Sequence, residues 1–273
     1  MKRLCRHPSV MLCVAVLMLA VNPLAAGGTS LYSVTGTVLD AAKQPLEGVL
    51  VLLRSEEREQ LVSVASNAQG QFRFPRSRLP AGDYRLSVRA TGFTLASNQA
   101  KTVSVDDQTT TLPVSLEPVT DRSTLAAQLT SLEWLQSWPG SDDDKRAMMH
   151  NLVNCMFCHS LERVARSRYD AEAFMGVIQR MLTYETDHSS AERIQVVSPP
   201  QPLEGLSWFG TDARRIARYL ASVNLRDGDD WPYDFDVLPR PTGAGTQAVV
   251  TVIPIPRPNS VIHDLDVDAQ GRV

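Results

Sequence analysis

Charge of one sign is what this chain most plainly lacks. Its 273 residues carry 27 Lys and Arg against 30 Asp and Glu, a formal net charge of −3. There is no basic excess to neutralise phosphates, so nucleic acid is not expected as a partner. Long hydrophobic runs are missing beyond the N-terminus and no repeat recurs, which argues against multi-span membrane, coiled-coil and collagen-like classes. Aromatic residues are sparse at 6%, yet 43% hydrophobic and 21% charged is an ordinary globular balance, and the length suits two domains of usual size. Cysteine is scarce: Cys5, Cys13, Cys155 and Cys158 are all there is.

The first two cysteines fall in a segment that reads as an export signal, residues 1–27. Lys2, Arg3 and Arg6 form a positive start, Val10 to Val21 is a short apolar core, and Ala25, Ala26, Gly27 and Gly28 supply small residues for cleavage. The core is too short to span a bilayer comfortably. The expected location is periplasmic or extracellular, with no stable membrane span after cleavage. The mature chain then keeps two cysteines, three positions apart.

Residues 30–118 read as all-β. Ser33–Leu39, Gly48–Arg54, Leu61–Ser66, Gln71–Phe74, Tyr84–Arg89, Lys101–Val105 and Thr110–Leu116 are short runs rich in Val, Leu, Thr and Phe. Several alternate, as Tyr84, Leu86 and Val88 do against Arg85, Ser87 and Arg89, so one face is buried and the other wet. Turn residues separate them at Asp40–Gly48, Asn67–Gly70 and Pro80–Asp83. Seven short strands at this spacing predict a two-sheet sandwich. Val34–Asp40 followed by Pro45–Val51, then Asn67–Phe74, Leu79–Tyr84 and Ala90–Phe93, resemble in order the carboxypeptidase regulatory-like domain. That resemblance implies a transthyretin-like sandwich serving as an accessory module, with a carbohydrate or a protein surface as its candidate ligand and no catalytic group of its own.

After Pro118 the pattern turns helical. Leu125, Leu129, Leu132 and Leu135 give Ser123–Trp138 a helical period, and Pro139-Gly140 breaks it. Ser141 is the expected N-cap of a further helix, with Asp142, Asp143 and Asp144 offsetting the dipole of its first turn. A calcium loop would need spaced ligands and a glycine that the acidic run lacks. Asp170–Tyr184 and Thr211–Val223 are amphipathic helices, the first carrying Phe174, Val177, Ile178, Met181 and Leu182 along one side.

The chemistry concentrates in Cys155-Met156-Phe157-Cys158-His159. Two cysteines three apart reach the two vinyl groups on one haem edge, and the histidine that follows turns to the iron. The pattern therefore predicts one covalent haem c, with Cys155 and Cys158 as thioether anchors and His159 as proximal iron ligand. Two other readings stay open. A redox dithiol normally opens a helix in a βαβ unit and needs no trailing histidine. A structural zinc site would have to draw further ligands from His150, His188 and His263.

The distal ligand is less determined. No methionine follows Met181, so Met181, His188 just beyond its helix, Met175 and an open position are the candidates. Methionines on a stripe with Phe174 and Ile178 also serve as ordinary core. Residues 141–225 resemble a small c-type cytochrome domain through Cys155–His159, Gln179-Arg180-Met181 and Tyr219–Asn224. That resemblance implies methionine ligation mapping onto Met181, although residues 196–208 depart from the usual pattern.

From Trp231 the chain turns extended, with a β-rich run at Val249–Ile255. Trp231-Pro232-Tyr233, Leu238–Thr242 and Pro258–Val273, ending in Asp268-Ala269-Gln270-Gly271-Arg272-Val273, resemble the entry to a streptogramin-lyase-like β-propeller. The expected organisation is a signal peptide at 1–27, an immunoglobulin- or transthyretin-like sandwich at 30–118, an all-α cytochrome c domain at 119–226, and a linker with an incomplete first propeller blade at 227–273. The leading expectation is an exported monohaem electron carrier, without catalytic residues, that meets an exported dehydrogenase or another cytochrome. The alternatives are a binding protein whose haem is structural or sensory, and a fragment of a propeller enzyme.

Overall fold

The computed structural model describes residues 31–142, 145, 146, 148, 149, 156, 159–186, 194–196, 198–208 and 210–253. The expected signal segment and the motif at 268–273 that resembles a propeller turn lie outside these residues.

Eight strands build the first unit: β1 (Tyr32–Leu39), β2 (Leu50–Arg54), β3 (Leu61–Ala65), β4 (Gln71–Pro75), β5 (Gly82–Arg89), β6 (Phe93–Leu95), β7 (Thr102–Val105) and β8 (Thr110–Pro118). They divide into two sheets. One has the order β4-β1-β8-β6, with β1 and β8 parallel. In the other, β3-β2-β5-β7 run antiparallel. The alternation read from the sequence is what packs them: Tyr84 and Leu86 of β5 are buried while Arg85 and Ser87 face solvent. Val34, Val38, Val51, Leu53, Phe72 and Leu116 belong to the core that fills the space between the sheets. Gly36 is required there, because a Cβ would collide with the Leu112 carbonyl and the Phe72 ring. The turn before β4 is set by Asn67, whose Oδ1 accepts from the amides of Gln69 and Gln71 at 3.0 and 2.9 Å.

The second unit is led by α1 (Arg122–Gln128) and α2 (Ser131–Ser137), followed by the one-turn α3 (Glu162–Ala165), then α4 (Ala171–Met181) and α5 (Ala213–Val223). The single helix expected over Ser123–Trp138 is two. Leu129 and Thr130 adopt extended backbone, at ψ 135° and 162°. Thr130 then starts a new helix through a capping box, its Oγ1 accepting from the Glu133 amide while the Glu133 carboxylate accepts from the Thr130 amide. Asp170 and Asp212 cap α4 and α5. Asp142, Lys145, Arg146, Met148 and Met149 are helical, in line with a helix opening after Ser141. Phe174, Met175 and Ile178 of α4 join Ile216, Ala217 and Leu220 of α5 in one core around Trp134.

The unit is not all-α as expected. A strand pair, β9 (Tyr184–Thr186) with β10 (Ile194–Val196), cuts short the helix read to Tyr184. A second pair joins β11 (Ser207–Trp208) to β12 (Thr211–Asp212), with Gly210 at φ 80° just before β12. Among the described residues no helix is long and apolar enough to cross a membrane.

A returning strap ties the units together. Trp231 inserts into the helical core, its ring 5.1 Å from Trp134 and its Nε1 donating to the Ala165 carbonyl at 2.9 Å. Farther on, the Leu238 amide donates to Glu133 Oε1 at 3.1 Å, and Arg240 Nε and the Gly243 amide donate to Glu47 of the sandwich at 3.0 and 2.9 Å. After a 3-10 turn at Gly243–Gln247, β13 (Val249–Val252) pairs antiparallel with β3 and becomes the fifth strand of that sheet. Gln128 stitches the same junction, accepting from the Gly92 amide at 2.8 Å and donating to the Phe93 carbonyl at 2.9 Å.

Candidate functional site

A cleft of about 740 Å³ opens in the helical unit, lined by His159, Val164, Phe174, Val177 and Met181 together with a set of arginines. It is built by the segment from His159 through α3 to Tyr169 and by one flank of α4. Leu161 anchors the first of these: its side chain is fully buried, and its amide donates to Ser131 Oγ at 3.1 Å, fixing the backbone two residues after His159. The loop at 167–169 is held to the end of α5, where Asn224 Nδ2 donates to Ser167 Oγ at 3.0 Å and to the Tyr169 carbonyl at 2.8 Å. On α4, Met175 and Ile178 turn into the core while Val177, Arg180 and Met181 line the cleft.

Of the residues singled out from sequence, the fold brings His159 and Met181 to the same cavity. Met175 is 1% exposed and serves as core, as its stripe with Phe174 and Ile178 implied. Cys155, Cys158 and His188 lie outside the described residues, as do His150, Phe157 and His263.

The imidazole of His159 donates from Nδ1 to the Ser160 carbonyl at 2.9 Å. With the proton held at Nδ1, Nε2 presents its lone pair, which is the arrangement a metal-ligating histidine needs. The Met181 thioether supplies a soft second donor in the same space. The cavity volume falls within the roughly 300–1,000 Å³ of small-molecule and cofactor sites, and Val164, Phe174 and Val177 give it an apolar wall. Among the described residues, His159 and Met181 are the ones that could hold an iron macrocycle in this cavity. Among the described residues no group of three or more His, Cys, Asp or Glu comes together to hold a bare metal ion.

What sequence reasoning missed is the charge around the opening. Arg163, Arg166, Arg168 and Arg180 all line it, with Glu162 the single acid among the described lining residues. Arg166 pairs with Glu162 at 2.7 Å and lies over the Trp231 ring, 5.3 Å from its centre. Arg168 reaches Asp229 at 2.8 Å. The spacing Arg163-x-x-Arg166-x-Arg168 directly after the cysteine motif was a visible signal, but nothing local distinguishes it from a solvated face.

The sandwich contains no comparable chemistry, and its identity rests on fold and sequence together: two facing antiparallel-rich sheets with the Asn67–Gly70 turn, and a match to the carboxypeptidase regulatory-like domain over residues 33–117. Those residues form a carboxypeptidase regulatory-like domain. No curated protein matches the chain. Solved structures similar to it include the Bacillus anthracis TIE protein at 22% identity, covering 32% of this chain and 16% of that one, with a TM-score of 0.27. A streptococcal ancillary pilin is 21% identical, covering 32% of each chain, with a TM-score of 0.26. Klebsiella pneumoniae 5-hydroxyisourate hydrolase is 29% identical, covering 32% of this chain and 90% of that one, with a TM-score of 0.24. The match thus spans only 16% and 32% of the first two relatives. The regulatory-like domain meets the helical unit through the Gln128 contacts and the strap, away from the cleft-lining residues.

Proposed function

We propose that this chain is an exported electron carrier in which residues 119–226 hold one covalent haem c and the regulatory-like domain acts as an accessory binding module. The observation that carries the reading is the Cys155–His159 motif ending at a cleft that His159 shares with Met181. When bound, the haem supplies a one-electron Fe(III)/Fe(II) couple. The chain's own residues do the rest. Cys155 and Cys158 anchor the group. The Ser160 carbonyl orients the His159 ring. Met181 would offer a thioether donor, and Val164, Phe174 and Val177 would place apolar surface against the group, which together would tune its potential. Its partner is an exported dehydrogenase or another cytochrome, docking weakly and briefly.

The test is an absorption spectrum, oxidised and dithionite-reduced, of protein exported by a host that matures c-type cytochromes. A sharp reduced α-band whose pigment resists acid-acetone extraction, and which is lost in Cys155→Ala/Cys158→Ala, is the expected result. A weak far-red band in the oxidised spectrum that disappears in Met181→Ala assigns the distal ligand. Absence of any haem band overturns the reading.

A further inference from the structure

Among the described residues that line it, the cleft carries more positive charge than negative. Arg166 and Arg168 have acidic partners in Glu162 and Asp229. Arg163 and Arg180 line the same opening, and among the described residues neither guanidinium group has an ion-pair or hydrogen-bond partner. Both are exposed, one in the last turn of α3 and the other in the last turn of α4. A last-turn arginine is favourable in any helix, but that preference does not bring two from different helices to one cavity.

The same cleft has an apolar wall of Val164, Phe174 and Val177. Two free guanidinium groups at the edge of an apolar cavity complement a molecule with an apolar body and two acid groups. Guanidinium binds carboxylate through paired, charge-assisted hydrogen bonds, a geometry Lys cannot reproduce. A small inorganic anion would leave the wall uncovered.

We propose that Arg163 and Arg180 form a carboxylate clamp at the mouth of the cleft, each taking one acid group of a flat dicarboxylate whose apolar body covers Val164, Phe174 and Val177. The identity of that molecule as the haem, with its two propionates in the clamp, rests on the function proposed above. The clamp itself is testable without iron or covalent attachment.

The full chain carrying Cys155→Ala/Cys158→Ala is titrated with metal-free protoporphyrin IX and with its dimethyl ester, following quenching of tryptophan fluorescence. The diacid is expected to bind tighter than the diester by a factor of about 10 or more, the scale of one charge-assisted hydrogen bond. In Arg163→Gln/Arg180→Gln that preference falls to about one, whereas Arg218→Gln, an exposed arginine of α5 outside the cleft, keeps it. Equal binding of diacid and diester, binding of neither, or an equal loss in Arg218→Gln overturns the clamp. A maturing host that attaches no haem overturns the electron-carrier reading alone, because the porphyrin titration is scored separately.

Discussion

Removal of the Glu133 carboxylate is the sharpest test of how the two units are joined. Its side chain is 5% exposed. Oε2 accepts from the Thr130 amide at 2.8 Å and from Thr130 Oγ1 at 2.7 Å, Oε1 accepts from the Leu238 amide at 3.1 Å, and Arg89 of β5 stands 3.7 Å away. One carboxylate thus closes the α2 capping box, holds the strap and faces the sandwich. Glu133→Ala leaves the Thr130 and Leu238 amides without their acceptor, at about 1–3 kcal/mol each for a buried unsatisfied group. Arg89 is half exposed, so its ion pair adds no more than about 1 kcal/mol. The expected cost is about 3–5 kcal/mol, a large share of the roughly 5–15 kcal/mol that stabilises a typical domain. Urea denaturation reads it cleanly, because Trp134, Trp138 and Trp231 all sit in the helical core and the sandwich has no tryptophan. The fluorescence transition should move to markedly lower urea, with Arg89→Ala shifting it by less than about 1 kcal/mol. A Glu133→Ala loss within about 0.5 kcal/mol of wild type, the range of an ordinary surface change, would refute the reasoning. So would an Arg89→Ala loss as large as that of Glu133→Ala.

Gly48 has φ 73°, and a Cβ there would run into the Pro241 carbonyl and the Arg240 side chain; Gly48→Ala should cost about 1–2 kcal/mol from the left-handed backbone alone and loosen the strap, seen as faster cleavage near residue 240 in limited proteolysis. Thr130→Ala should cost about 0.5–2 kcal/mol by loss of the α2 cap, read as a lower thermal midpoint with the strand signal unchanged. The Tyr233 hydroxyl donates to the Val223 carbonyl at 2.6 Å, and burial pushes its phenol far above the ordinary range. Folding therefore favours its protonated form: the contribution is complete below about pH 10, where an unfolded tyrosine ionises, and declines as pH rises above that value. Tyr233→Phe should lose about 0.5–1.5 kcal/mol at neutral pH and flatten the alkaline decline in a stability-against-pH series. An equally steep decline would contradict this.

The sandwich was legible because its signals are local: alternation in β5, the Asn67–Gly70 turn and the Pro80–Asp83 turn each act within a few residues. The break between α1 and α2 was written in the sequence as Thr130-x-x-Glu133, but the leucine period across it is a stronger pattern and masks it. β6 is three residues long and adjoins a turn, too short to register as a strand. The role of Val249–Val252 could not be read, since its partner β3 lies across the whole helical unit and nothing near the run specifies that pairing. At the cleft, His159 and Met181 are the lining residues that sequence reading singles out, by side-chain type alone. The arginine rim was not, because a charge acquires meaning only when tertiary structure places it beside other charges and an apolar wall.

The strap also sets an order of events during synthesis. A ribosome delivers β1 to β8 first, yet the strand that covers the outer side of β3 arrives only after the entire helical unit has been made. Until then β3 offers an open edge, the kind of backbone row that recruits strands from neighbouring chains. The contacts that Trp231 and Glu133 make with the strap hold the segment before β13 close to the sandwich, so folding of the helical unit shortens the loop that β13 must close to reach β3. Covering the edge of the first domain is thereby coupled to the folding of the second.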